Sequence, residues 1–185
     1  WVNRPNLDFR GFAGTVSSGS VKRGDLVRIS PGSRTSRIAR IVTSEGDIDT
    51  AIADQSVTLT LTDEIDVARG DLLSPPDAPP GLSDQFEVTL VWMSEQPMLP
   101  GRSYWLKIGT RTVSATVTDL KYAVNVNTLE HIAAKTLDLN GIGICNVAVA
   151  QPIPFDAYTD NRETGGFILI DRLTNATVGA GMILF

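Results

Sequence analysis

The chain has 185 residues, 42% of them hydrophobic and 20% charged, with a formal net charge of −5. That composition describes a folded chain rather than a disordered one. The acidic balance argues against a general nucleic-acid binder, whose affinity comes mostly from neutralising phosphates, and gives no support for docking on an anionic membrane. No apolar run is long enough to span a bilayer, and no stretch has the pattern of a signal sequence.

The chain opens Trp1-Val2-Asn3 without an initiator methionine and is read as a piece of a longer protein. From there strand follows strand. Val57, Leu59 and Leu61 alternate with Thr58, Thr60 and Thr62. Phe86, Val88, Leu90 and Trp92 keep the same two-residue period, as do Val113, Ala115 and Val117. Alternation of this kind turns one face to a core and the other to water. Turn residues punctuate the runs, at Arg23-Gly24-Asp25, Pro31-Gly32-Ser33, Glu45-Gly46-Asp47, Arg69-Gly70-Asp71 and Pro100-Gly101-Arg102. Short strands so spaced predict a barrel or sandwich.

The strongest interruption is Ser74 to Ser83, where four prolines remove four backbone donors and hold their neighbours extended. The expected organisation is a barrel over 1–74, a proline-rich linker over 75–82 and a second barrel over 83–185. One short helix is expected over Thr128–Lys135, with Asn127 as cap and Glu130 three residues on.

Residues able to do chemistry are few. His131 is the only histidine and Cys145 the only cysteine. No disulfide can form within the chain, and the two together cannot build a zinc site of the usual kind. His131 reads as a solvated helix residue and Cys145 as a buried, inert thiol; a lone cysteine fits a reducing cytoplasm. The acidic cluster Asp63-Glu64-Ile65-Asp66 reads as a charged turn without calcium-loop spacing. Asn175-Ala176-Thr177 has the form of a glycosylation acceptor, although nothing else points to secretion.

A phosphate-cradling loop needs a lysine directly after a glycine. None of Lys22, Lys107, Lys121 and Lys135 has that setting. Asp8-Phe9-Arg10-Gly11 and Asp138-Leu139-Asn140-Gly141 match a two-position GTPase pattern that means little without such a loop. No cofactor or metal is therefore expected on this chain. One basic run stands out, with Arg34, Arg37 and Arg40 inside Ser33–Arg40. Strand parity places Arg34 and Arg40 on one side and Arg37 on the other. The run is either a solvated rim or a patch for an acidic partner.

Gly14-Thr15-Val16, then Gly19 and Val21-Lys22-Arg23-Gly24-Asp25, resembles the start of the second domain of elongation-factor-Tu-like GTPases. Thr177-Val178-Gly179-Ala180-Gly181-Met182-Ile183 resembles the closing strand of the third domain. Within that superfamily, Asn3 to Thr15 is similar to the large, GTPase subunit of bacterial sulfate adenylyltransferase, including its bifunctional and nodulation-type forms. So are Val91-Trp92-Met93, Pro100 to Tyr104, Asn127 to Glu130, Phe155 to Tyr158 and Thr164 to Asp171.

The resemblance implies an all-β fold of two consecutive small barrels, of the type of the second and third domains of elongation factor Tu. It implies a nucleotide-binding domain elsewhere in the parent, which would hold GTP and magnesium. It implies a smaller adenylyltransferase subunit as partner, in the cytoplasm, with an adenylylsulfate kinase fused after the last barrel in some relatives. This chain would then be a non-catalytic coupling module, with no membrane and no nucleic acid among its partners. The candidate surface for contact with the GTPase domain or the partner comprises Asn3, Arg4, Asn6, Asp8 and Arg10, with Arg34, Arg37 and Arg40. The alternatives are a translation-factor fragment that holds aminoacyl-tRNA, and a free-standing enzyme using His131 or surface carboxylates.

Overall fold

The computed structural model describes residues 2–4 and 9–185. The chain divides into two compact units, 1–80 and 81–185. The first holds β1 (Val2–Asn3), β2 (Gly11–Thr15), β3 (Ser20–Lys22), β4 (Leu26–Ser30), β5 (Thr35–Thr43), β6 (Gly46–Ile48), β7 (Thr50–Ile52), β8 (Ser56–Leu61) and β9 (Leu72–Ser74). Its antiparallel ladder runs β1-β2-β8-β5-β4-β9, with β6 on β5 and a separate β3–β7 ribbon.

Two turns of this unit are built alike. In Lys22–Asp25 and in Ala68–Asp71 the third residue is a glycine at φ 89°, a backbone conformation costly for any side chain. In each, the aspartate accepts a 2.8 Å hydrogen bond at its carboxylate from the backbone N–H three residues earlier, on Lys22 or on Ala68. The Gly-Asp pairs thus act as self-capping reversals, each leading directly into a strand, β4 at Leu26 and β9 at Leu72.

Inside the first unit lie two small apolar clusters. One gathers Val27, Ile38, Ile41, Ala51 and Val57. The other joins Phe12, Ile29 and Val67. Between Ile38 and Arg40 the β5–β8 register shifts by one residue at Ala39.

The second unit holds β10 (Gly81–Trp92), β11 (Ser103–Ile108), β12 (Arg111–Val124), β13 (His131–Ile132), β14 (Ile142–Phe155), α1 (Arg162–Gly165), β15 (Gly166–Ile170) and β16 (Thr177–Ile183). The order β11-β15-β16-β10-β14-β12 returns to β11, closing a six-strand barrel, and β13 hangs on β12. The alternating runs behave as their period demands: Phe86, Val88, Leu90 and Trp92 are buried, and so are Val113, Ala115 and Val117. They belong to one continuous core in which the Trp92 and Tyr104 rings meet edge to face at 5.7 Å. The Trp92 indole N–H donates to the Gln96 carbonyl at 2.7 Å, which satisfies its one polar atom. Each large apolar side chain so buried contributes roughly 1.5–3 kcal/mol.

The expected helix over Thr128–Lys135 does not form. The Asn125 side chain accepts from the N–H groups of Asn127 and Thr128, and Leu129 takes a left-handed φ of 61°. An Asx side chain competing for backbone donors in this way closes one turn and goes no further. His131 and Ile132 are then extended and pair with Val124 and Ala123, so His131 is a strand residue and not a helical one. Among the described residues the single helical turn lies instead at Arg162–Gly165, where Asn161 caps the Glu163 N–H. The strand β10 begins at Gly81, so Gly81 and Leu82, read from sequence as linker, already pair with Phe155 and Pro154.

Candidate functional site

Of the residues singled out in the opening segment, Asn3 lies on the outer face of the first unit together with Phe9 and Arg40. Strands β2, β8 and β5 lie side by side there, with Gly11 opposite Thr60 and Thr60 opposite Arg40. The Phe9 ring lies over Gly11 and beside the Thr58 methyl, in the space a Cβ at position 11 would need. The Arg40 guanidinium stands 5.8 Å from the centre of that ring. It also holds Asp47 in a two-point ion pair, at 2.7 and 2.8 Å. The hydrogen bond from Arg40 keeps the Asp47 carboxyl below the usual carboxylate range, and the same bond raises Arg40. Asn3, opposite Gly11 on β1, lines with Phe9, Thr43 and Thr58 a groove of about 480 Å³.

Phe9 therefore joins Asn3 and Arg40. Arg10 is ion-paired with Asp66, and its guanidinium stands 5.4 Å from the Phe12 ring. Arg4 is exposed just beyond β1, while Asn6 and Asp8 lie outside the described residues. Arg34 is exposed in the turn before β5. The parity expected for the basic run is overturned by the bulge at Ala39. Ser36, Ile38 and Ile41 point inward, so Arg37 and Arg40 both face outward. They serve different places, because Arg37 donates to the Gly24 carbonyl at 3.0 Å. Gly24 borders a second groove of about 680 Å³, lined also by Lys22, Arg23, Asp49 and Thr62. Sequence reasoning passed over Phe9 and Asp47. The one available signal was an aromatic ring adjoining a run of polar and charged residues.

Cys145, His131 and Asp63 lie outside that face. Burial, and then the charge of Asp119, push the Cys145 thiol up to about 12, so its thiolate is inaccessible near neutrality. His131 stacks on Tyr122 with ring centres 3.8 Å apart. Asp63 accepts from the Ser36 hydroxyl at 2.7 Å and the Thr62 hydroxyl at 3.2 Å, a structural use of that carboxylate. Among the described residues, no group of three or more His, Cys, Asp or Glu could hold a metal ion. The sequence carries no phosphate-cradling loop. Among the described residues, no helix is long and apolar enough to cross a membrane.

Residues 85–184 match the family model described as GTP-eEF1A C-terminal domain-like. The chain is 57% identical over 184 residues to "Bifunctional enzyme NodQ" of Rhizobium sp. (strain N33), covering 100% of this chain and 28% of that protein. It is 51% identical over 183 residues to "Sulfate adenylyltransferase subunit 1" of Shewanella woodyi (strain ATCC 51908 / MS32), covering 99% of this chain and 39% of that protein. The chain thus spans well under half the length of the curated relatives it matches. Among solved structures, sup35 complexed with GDP aligns with a TM-score of 0.86 at 20% identity, over 95% of this chain and 44% of that one. That likeness is one of fold.

Proposed function

The chain belongs to the GTP-eEF1A C-terminal domain-like family, and we propose that it forms the paired barrels of the large subunit of a GTP-driven sulfate adenylyltransferase, coupling the reaction rather than catalysing it. The observation that carries this reading is the identity of 50–57% over essentially the whole chain to sulfate adenylyltransferase subunit 1 and NodQ proteins. In this reading GTP and magnesium belong to a nucleotide-binding domain outside the chain. A smaller subunit joins sulfate to the adenylyl group of ATP, in the cytoplasm.

The chain's own part is to present a surface whose contacts differ between nucleotide states, since only a difference in contacts shifts an equilibrium. The face around Phe9 suits that task. The ion pair of Arg40 with Asp47 lies on it, and that of Arg10 with Asp66, beside the Phe12 ring, is also solvent-accessible. Such pairs are weak in water, so a partner's carboxylate can replace Asp66 or Asp47 at little cost. Asn3 and Arg4, exposed beside them, extend the same polar strip. Asn6 and Asp8, which lie outside the described residues, belong to the proposal by their place in the sequence alone.

Replacing Arg4 and Arg10 by alanine in the full-length protein tests the idea. GTP-dependent formation of adenylylsulfate is expected to fall about fivefold or more, the lower range of allosteric coupling. GTP binding by the nucleotide domain should be retained. A rate equal to wild type discards the coupling role of this face.

A further inference from the structure

The turn that joins β15 to β16 presents a leucine to solvent from an unusually well-tied frame. Leu173 is 87% exposed, the highest value among the exposed large hydrophobics of the described residues. A single residue of this kind is ordinary on a protein surface; its setting is not. The Asp171 carboxylate, itself buried, accepts from the N–H groups of Leu173 at 2.9 Å and Thr174 at 3.0 Å, and from the Thr174 hydroxyl at 3.2 Å. The Asp171 N–H donates to the Ala176 carbonyl at 2.9 Å, and the Asn175 N–H to the Asp171 carbonyl at 3.0 Å. Arg102 closes the frame from the start of β11 through an ion pair with Asp171.

Beside Leu173, the Arg172 guanidinium lies 4.3 Å from the centre of the Trp105 ring and donates to the Ser114 hydroxyl at 3.3 Å. Lys107, exposed two residues along the same strand as Trp105, adds a second cation. Among the described residues neither Arg172 nor Lys107 has a carboxylate partner. A chain with a net charge of −5 thus keeps a local cationic rim around one rigidly held leucine and one tryptophan. A pre-ordered loop loses little entropy on binding, and tryptophan and arginine are the residue types most enriched where interfaces hold their energy.

We propose that this turn, with Trp105 and Arg172, is a docking surface for a partner protein that offers an apolar pocket rimmed by carboxylates. Leu173 fills the pocket, and Arg172 and Lys107 meet the rim. The inference rests on the reading above in one respect: the smaller adenylyltransferase subunit of the same organism is the probe.

Binding of that subunit to the full-length protein is measured by calorimetry at low and at moderate salt. Leu173→Ala is expected to weaken binding about tenfold or more at both salt concentrations, the worth of burying its apolar side chain. Arg172→Glu weakens it further, with a loss that shrinks as salt rises. Arg172→Lys recovers part of the affinity. An unchanged thermal midpoint for Leu173→Ala shows that the fold is intact. If the wild-type protein binds the subunit and both variants bind equally well, the docking surface is overturned while the pairing stands. If the wild type does not bind the subunit at all, both are overturned. Binding of transfer RNA that is lost in Arg172→Glu, with subunit binding untouched, also overturns the proposal in favour of a nucleic-acid contact.

Discussion

The two units are made of the same kind of strand and hold together differently. In the second, six strands close on themselves and enclose one core of buried side chains, from Phe86 to Ile183. In the first, among the described residues, the ladder ends at β1 and β9, and its buried residues fall into a cluster of five and a cluster of three. Closure removes exposed edges and lets every inward side chain touch the same interior. The first unit's ladder instead enters its edge strand β9 through the self-capped turn Ala68–Asp71 and carries the exposed pair of Arg40 with Asp47 on its outer face. The two units therefore rest on different cores, and substitutions in those cores should separate them.

The largest effect is expected from Trp92→Ala. It removes a ring that is 2% exposed, its edge contact with Tyr104 and its bond to Gln96. A loss of about 3–5 kcal/mol is expected in the second unit. Urea unfolding followed by circular dichroism should show this as a shift of one transition only. Equal shifts of the whole curve would mean that the two units unfold as one body. Ile41→Ala, at a fully buried position in the cluster of five, should cost about 2–4 kcal/mol in the first unit and leave the other transition in place.

Gly181→Ala comes next. The Phe167 ring packs across the ladder directly over Gly181, so a methyl group there displaces an aromatic side chain from the closed core. Overpacking of this kind costs about 1–3 kcal/mol, seen in the second transition. Gly14→Ala in β2, where an added methyl meets no atom within 4 Å, should move the first transition far less. A Gly181→Ala protein as stable as wild type would show that the ring has room to yield and that closure does not imply tight packing.

The legible part of the fold was the part governed by period and by turn chemistry. Phe86 to Trp92 alternates without interruption and is buried as that alternation predicts, because a strand inside a closed ring has one wet face and one dry face. Less legible were events decided by a single local competitor. One is the Asn125 side chain, which ends a helix that Asn127 and Glu130 seemed to start. Another is the bulge at Ala39, which brings Arg37 and Arg40 to the same side. The candidate face was legible only as a list of polar residues. That Phe9 gathers Asn3 and Arg40 depends on Gly11 leaving room for a ring, which no spacing rule in one sequence reveals.

The smallest effect concerns two aspartates whose carboxyls both lie below the usual range, for different reasons. Asp47 owes its position first to the hydrogen bond from Arg40. Asp171 owes it first to the backbone N–H of Thr174 and then to that of Leu173, with Arg102 contributing last. Arg40→Ala should therefore return the Asp47 carboxyl toward the ordinary carboxylate value, whereas Arg102→Ala should leave Asp171 clearly depressed; carbon-detected NMR titration of the two carboxyls measures both. A carboxyl depressed by folding adds stability that is complete above the unfolded carboxylate value, about pH 4, and is lost as pH falls through the lower folded value. In Arg102→Ala that acid-side dependence should persist in the second unit, because backbone donors remain. In Arg40→Ala the Asp47 contribution should disappear from the first unit without a resolved change in its thermal midpoint at neutral pH, since an exposed, screened pair adds little. If Asp171 moved with Arg102 as fully as Asp47 moves with Arg40, the β15–β16 turn would be held by charge rather than by its backbone, and the rigidity that sets it apart from the first unit's face would be gone.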